Sequence, residues 1–299
     1  MPQIHSDSQN LYEMFVAVRK ALAETTAAYW TDLEVLRELN RAQSHIATKS
    51  HCLKKTVTVT TTNGTQEYDL KDFSFADIIS ISDDGVYFYV GGTTYRPLTR
   101  KTKKQLNDEF PGWQGTAAGT PTYYYYDGSS KTIGLYPKPN SSNAGAYLFV
   151  SGYYLPRILL VGTASAGNAA YITLAAGSST VQYPNPTDDY YNGLWIEIYS
   201  GTGAGQKAEI TDYVFSTLKA SATFTTAPDS SSIYGMMPEI PATAHWLMPL
   251  YALWKLWPKG GSRTQLGNLY GQQYIGGLSE FIGESLDDED FEIVKDSYR

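Results

Sequence analysis

The sequence predicts an α+β protein in which terminal helices form a helical bundle around an antiparallel β-domain, with a small β-sandwich-like module inserted. Three observations predict it. Apolar residues recur at helical spacing over residues 1–55 and again after Pro241. Over residues 56–157 the period drops to two and turn dipeptides punctuate the runs. From Val161 to Tyr234 charges thin out and Ser, Thr, Gly and Ala take over. The resulting division is 1–55 for the N-terminal helices, 56–157 for the β-domain, 158–237 for the inserted module, 238–285 for the C-terminal helices and 286–299 for an acidic-hydrophobic tail.

Leu11, Phe15, Val18 and Leu22 make one apolar stripe on a first helix. A second helix spans Asp32 to about Lys49: Thr31 and Glu34 form a capping box, Trp30 and Val35 stand at the hydrophobic-staple positions, and Leu36, Leu39, Gln43 and Ile46 follow. Thr56–Thr60 and Gln66–Leu70 alternate on either side of Asn63-Gly64 and read as a hairpin. Ile78–Ile81 and Val86–Val90 read as a second hairpin about Asp83-Asp84-Gly85, with a further strand over Thr93–Leu98. A short helix is expected over Lys101–Phe110, then strands at 122–126, 133–136 and 146–154. The insertion carries strands near 171–174, 194–199, 208–214 and 218–225. Leu155-Pro156 and Pro238…Pro241 bound it, which suits a separable module. Trp246, Leu250, Leu253, Trp254 and Trp257 return to helical spacing, with Pro249 expected to kink the helix. The last helix bears Leu266, Tyr270, Tyr274, Leu278 and Phe281. Its Gly267, Gly271, Gly276 and Gly277 each weaken it by roughly 1 kcal/mol relative to Ala. That helix must therefore be held by a close neighbour. From Ser285 onward the chain is expected to be extended or disordered until bound.

The chain has 299 residues, 42% of them hydrophobic, enough for a real core and against disorder throughout. The single cysteine, Cys52, excludes an internal disulfide. The N-terminus has neither a basic start nor an apolar run, so no signal peptide is expected. No apolar stretch reaches the ~18 residues of a membrane span, and no membrane partner is expected.

Little points to catalysis, and no enzyme is read here. His45 and His51, six apart, lie ~240° apart round a helix and do not chelate together. No HExxH or GxSxG occurs, so neither a metal, a cofactor nor a catalytic nucleophile is expected. The run Gly201-Thr202-Gly203-Ala204-Gly205-Gln206 lacks the Lys-Ser/Thr of a phosphate-binding loop and reads as a strand connector.

Net charge is −7, but eight acids against Lys295 and Arg299 put −6 of it between Ser279 and the C-terminus. A nearly neutral body makes a poor nucleic-acid binder, and no sequence-specific nucleic acid is expected. Arg96, Arg100, Lys101, Lys103 and Lys104 form one basic cluster, most simply a solvated helix start. In the tail, Asp287, Asp288, Glu289 and Asp290 precede Phe291, Ile293, Val294 and Tyr298. Acids followed by apolar anchors suit a segment that is steered electrostatically and then orders in a groove. Tyrosine is abundant, 25 residues in all, and suits both half-buried strands and sugar-binding or protein-binding surfaces.

The order of these pieces resembles the head-to-tail adaptor (connector) proteins of tailed bacteriophages, especially short-tailed ones. The resemblance rests on Trp30, Asp32 and Leu36-Arg37-Glu38-Leu39-Asn40-Arg41-Ala42-Gln43, on Gln66-Glu67-Tyr68-Asp69-Leu70, and on Gly119-Thr120-Pro121-Thr122-Tyr123-Tyr124. It rests further on Ile133-Gly134-Leu135-Tyr136-Pro137-Lys138-Pro139, on Tyr153-Tyr154-Leu155-Pro156 and on Ile240-Pro241 before the Trp-rich helix. It covers residues 8–157 and 237–285 and treats the insertion as a departure. It implies a virion structural protein made in the host cytoplasm and placed at the neck. There a homo-oligomeric ring, twelve copies by analogy, joins the portal protein to the tail tube or nozzle, and the inserted module could meet tail fibres. The tail residues Asp287–Asp290, Phe291, Ile293, Val294 and Tyr298 are then the expected portal contact. The competing reading, from the aromatic content and the Ser/Thr-rich insertion, is a glycan-binding or fibre-like virion surface protein.

Overall fold

The structure, a computed structural model, describes residues 9–24, 26–27, 29–91, 94–178, 182–260 and 264–296, with side chains as far as Gly283 at the C-terminal end. It is a mixture of helices and antiparallel sheets in two compact units, Met1–Cys52 with Pro156–Arg299, and Leu53–Leu155.

The first unit begins with α1 (Leu11–Ala21) and α2 (Asp32–Ser50). Both start on reciprocal caps. Asn10 Oδ1 accepts from Glu13 N at 3.0 Å while Glu13 Oε2 accepts from Asn10 N at 3.2 Å. Thr31 and Glu34 do the same for α2, as their spacing predicts. Leu11, Met14, Val18 and Leu22 are buried on α1; Val35, Leu36, Leu39 and Ile46 on α2. Trp30 packs edge-on against Trp257 at 5.5 Å and donates its indole N–H to the Leu256 carbonyl at 3.1 Å.

The second unit holds β1 (Lys54–Thr60), β2 (Glu67–Asp69), β3 (Ile78–Gly91), β4 (Thr94–Pro97), β5 (Thr99–Arg100), α3 (Lys103–Glu109), β6 (Tyr123–Asp127), β7 (Thr132–Tyr136) and β8 (Tyr147–Tyr154). One sheet has the order β1-β8-β3-β4 and the other β2-β7-β6-β5, parallel only between β5 and β6. They share a core of Val59, Phe88, Leu148 and Val150 from one and Tyr68, Tyr124, Ile133 and Leu135 from the other. The tyrosine run follows from the two-residue period of a strand. Tyr124 enters this core while Tyr125 points the other way, into a second cluster with Leu106 and Trp113.

Neither expected hairpin in the first half of this unit forms. At Thr61 the chain still pairs toward Ala146, next to β8, but Gln66 already accepts from Leu135 N on β7 at 2.9 Å. Asn63-Gly64, with Gly64 at φ 74°, is thus a corner between two sheets. Residues 78–81 and 86–90 belong to one strand, β3, because β8 pairs with both halves. Ser82–Gly85 bulge out opposite Ser151, and a Cβ on Gly85 would sit 2.5 Å from the Ser151 carbonyl.

In the first unit, the described residues of 161–236 form eight strands: β9 (Val161–Thr163), β10 (Ala166–Asn168), β11 (Tyr171–Thr173), β12 (Trp195–Ser200), β13 (Lys207–Glu209), β14 (Asp212–Val214), β15 (Lys219–Ser221) and β16 (Ile233–Met236). Their two sheets run β10-β11-β15-β14 and β13-β12-β16-β9. The strand expected at 208–214 is two strands: Ile210 N donates to Leu194 in one sheet, and Thr211 N to Ser221 in the other. This part is packed onto the helices. Asn10 Nδ2 donates to Glu197 at 2.9 Å, Tyr12 packs on Tyr199 at 4.7 Å, and a Cβ on Gly235 would lie 2.8 Å from Tyr12 N.

The chain ends on α4 (Leu247–Leu256) and α5 (Thr264–Asp296). Pro249 falls in the first turn of α4, where no amide hydrogen is required, and not at an interior kink. The backbone from Ser285 to Asp296 continues α5 as helix and is not extended.

Candidate docking elements

The glycines of α5 explain how a helix of poor intrinsic stability is held. A Cβ on Gly267 would meet Pro258 at 3.1 Å, one on Gly271 would meet Trp254 at 2.8 Å, and one on Gly277 would meet Trp246 at 2.2 Å. Three of the five glycines of α5 therefore let it lie directly against α4 and the turn that follows it, running the opposite way. Between them Tyr274 is fully buried against Trp254, Tyr251 and His45. Its hydroxyl lies 2.6 Å from His45 Nδ1. Burial, then the Lys49 and Lys255 charges, hold His45 below the ordinary imidazole range, so a neutral ring shares this hydrogen bond with the tyrosine. Lys255 caps the cluster, its ammonium 3.4 Å from the Trp254 ring centre.

Gly277 is already level with Leu247, the first residue of α4, so α5 runs on past it. From Phe281 to Asp296 it extends about 22 Å further. Asp287, Asp288, Glu289, Asp290, Phe291, Ile293 and Val294 stand on this helical extension, whereas Tyr298 lies outside the described residues.

The first unit also carries a cleft of about 300 Å³ between α2 and the segment 156–158. Arg37 and Arg41 wall it, four residues apart on one helix face. Its floor is tied down: Arg157 holds Glu239 at 2.8 Å and the Asn192 carbonyl at 2.5 Å, and Gln43 Nε2 donates to the Arg157 carbonyl at 3.0 Å. Only the helical spacing of Arg37 and Arg41 marks this cleft in the sequence; its far wall comes from residues over a hundred positions away.

In the other unit, the outer face of the β1-β8-β3-β4 sheet is aromatic. Tyr89 and Tyr95 approach to 5.3 Å, Tyr95 and Phe149 to 5.7 Å, and Tyr89 and Tyr147 to 6.2 Å, with Tyr95 56% exposed. The basic cluster at 96–104 is partly spent internally. Lys101 pairs with Glu109 at 2.6 Å and Lys103 with Glu67 at 3.3 Å. The Tyr125 hydroxyl, then Lys103, holds the Glu67 carboxyl below its usual range.

The remaining motifs are structural. The glycine-rich loop turns β12 into β13: Gly205 N donates to Ile198 O at 2.7 Å, and the Gln206 amide bonds Gly203 and Thr226. His245 accepts from Gln9 N and faces the Ile240 carbonyl, each at 3.1 Å. Among the described residues no three of His, Cys, Asp and Glu converge as metal ligands, and no helix is long and apolar enough to cross a membrane.

A family model described as SU10 adaptor protein matches residues 9–213. The match runs as far as residue 213, within the segment read as an insertion. No curated protein matches the chain.

Proposed function

The chain belongs to the SU10 adaptor protein family, and from that footing we propose that it builds a homo-oligomeric ring of twelve copies joining the portal to the tail tube or nozzle. Membership makes it a phage head-tail adaptor, a structural protein of the virion neck that works with portal and tail components. The finer reading places α1, α2, α4 and α5 in a helical bundle, in a short-tailed virion, with residues 158–237 as the module that could meet tail fibres. The 1–55, 56–157, 158–237, 238–285 and 286–299 segments serve as its functional parts.

The observation that carries this reading is α5. A helix seated on α4 by glycines and continued about 22 Å past Phe281 presents the acidic and apolar C-terminal residues at a distance from their own fold. The portal contact is proposed at Phe291, Ile293, Val294 and Tyr298, with Asp287, Asp288, Glu289 and Asp290 steering the approach.

The test is sedimentation of portal rings with the full chain and with a chain truncated after Glu284. Truncation is expected to leave the melting temperature unchanged and to abolish or greatly weaken attachment, with Phe291→Ala plus Ile293→Ala doing most of the same damage. Equal attachment by the truncated chain would move the contact elsewhere. One observation favours a second reading, glycan binding: the exposed aromatic face of Tyr87, Tyr89, Tyr95, Tyr147 and Phe149. Saturable glycan binding by the isolated chain, with no portal attachment, would select it.

A further inference from the structure

We infer that the cleft walled by Arg37 and Arg41 receives the acidic segment Asp287–Asp290 of a second copy of this chain, giving the ring its head-to-tail contact. The inference rests on the ring reading and names the surfaces that would close it.

The cleft is finished except for its charge. Arg157 on the floor is neutralised by Glu239, and the Asn40 side chain is used in both directions: its amide donates to the Leu159 carbonyl at 3.1 Å and its carbonyl accepts from Leu159 N at 2.7 Å. Arg37 makes no hydrogen bond or ion pair among the described residues and is exposed. Arg41 has one partner, Glu38 in the same helix at 2.5 Å, and is 60% exposed. Two like charges at this spacing repel and disfavour the helix that carries them unless an acid sits across them. With Ile158 exposed beside them, the pair presents two guanidinium forks suited to carboxylates along an adjacent chain.

The molecule's own composition says which acids. Residues 279–299 hold −6 of the −7 net charge, and the remainder is close to neutral. The same copy's acids do not reach. Lys259, just before α5, bonds Glu34 near the start of α2, and Tyr274 bonds His45 further along both helices, so α2 and α5 run in the same direction. From that shared level Arg41 lies four residues back and Asp287 thirteen residues forward, a separation of about 25 Å along the axis. The helix positions of the acids therefore lie well beyond their own cleft along the axis, and in the inferred contact they meet another copy's. Two different surfaces meeting in this way form a heterologous contact, the type that closes into rings. Exposed charge pairs are individually weak and screened by salt. The chain then stays largely monomeric at physiological ionic strength and assembles when a partner gathers it.

The test uses two full-length charge reversals: Arg37→Glu with Arg41→Glu in the cleft, and Asp287→Lys, Asp288→Lys and Asp290→Lys in the tail. Sedimentation and native mass spectrometry at low ionic strength read association, and thermal melts verify folding. Wild type is expected to associate with increasing concentration and to dissociate with salt. Each reversal alone should weaken association at least ~10-fold, the effect of losing several charge pairs. An equimolar mixture should recover association, because the unaltered tail of one variant meets the unaltered cleft of the other and the reversed tail meets the reversed cleft with opposite charge. Arg37→Lys with Arg41→Lys should retain part of the association.

Wild type that never associates, reversals that associate like wild type, or a mixture no different from its components would each overturn the contact. Loss of portal attachment by the cleft reversal, with wild type monomeric throughout, would overturn it too and assign the cleft to an acidic portal segment. Failure of the adaptor reading is seen separately. Portal rings that ignore wild type would remove that reading, whatever the mixing experiment shows.

Discussion

Single residues decide whether α5 has a seat. Gly277→Ala would drive a methyl into Trp246 and is expected to destabilise by about 1–3 kcal/mol, the usual cost of overpacking. Gly276→Ala, one position round the helix, meets nothing within 4 Å and should stabilise by about 1 kcal/mol. Melting both variants checks the pair, and equal effects would contradict the glycine seat. His45 gives the seat a pH dependence. Its protonation is disfavoured in the fold, mainly by burial, as is that of His245. The unfolded chain therefore takes up these protons first as pH falls through about 6.5. Stability present above that value is lost as pH drops toward the lowered folded values. The melting temperature should thus fall between about pH 7 and pH 5, and His45→Gln should flatten part of that fall. An unchanged slope would remove His45 as a cause.

At the scale of elements, local signals were legible and partners were not. The capping box of α2 and the need of α5 for a close neighbour could both be read, because caps and glycine spacing act within a few residues. The hairpins were misread for the complementary reason. Asn63-Gly64 and Asp83-Asp84-Gly85 carry turn chemistry, but β8, some 60–100 residues away, is the strand that claims β1 and both halves of β3. The tail reads as extended or disordered until bound, whereas its acids and Gly283 conceal a helical backbone that runs to Asp296. The prolines around residues 158–237 suggested separability, yet β16 lies against α1 and Glu197 bonds Asn10. Replacing Val161–Tyr234 by a Gly/Ser linker is accordingly expected to lower the melting midpoint by more than ~10 °C. An unchanged midpoint would show the module to be independent.

Across the whole molecule, charge and chemistry are distributed as a connector needs. Nearly all the net charge sits at the end of α5, and the polar clusters elsewhere satisfy themselves: Arg157 with Glu239, Lys101 with Glu109, Lys103 with Glu67. Such a chain keeps its binding capacity in surfaces, with the arginine cleft the least legible of them because its walls are distant in sequence. The most direct test of the adaptor account is native mass spectrometry of the full chain with and without its portal ring. The account predicts a mostly monomeric chain at physiological ionic strength, and one discrete complex with twelve copies on the portal. A stable dimer in solution that ignores the portal would contradict it.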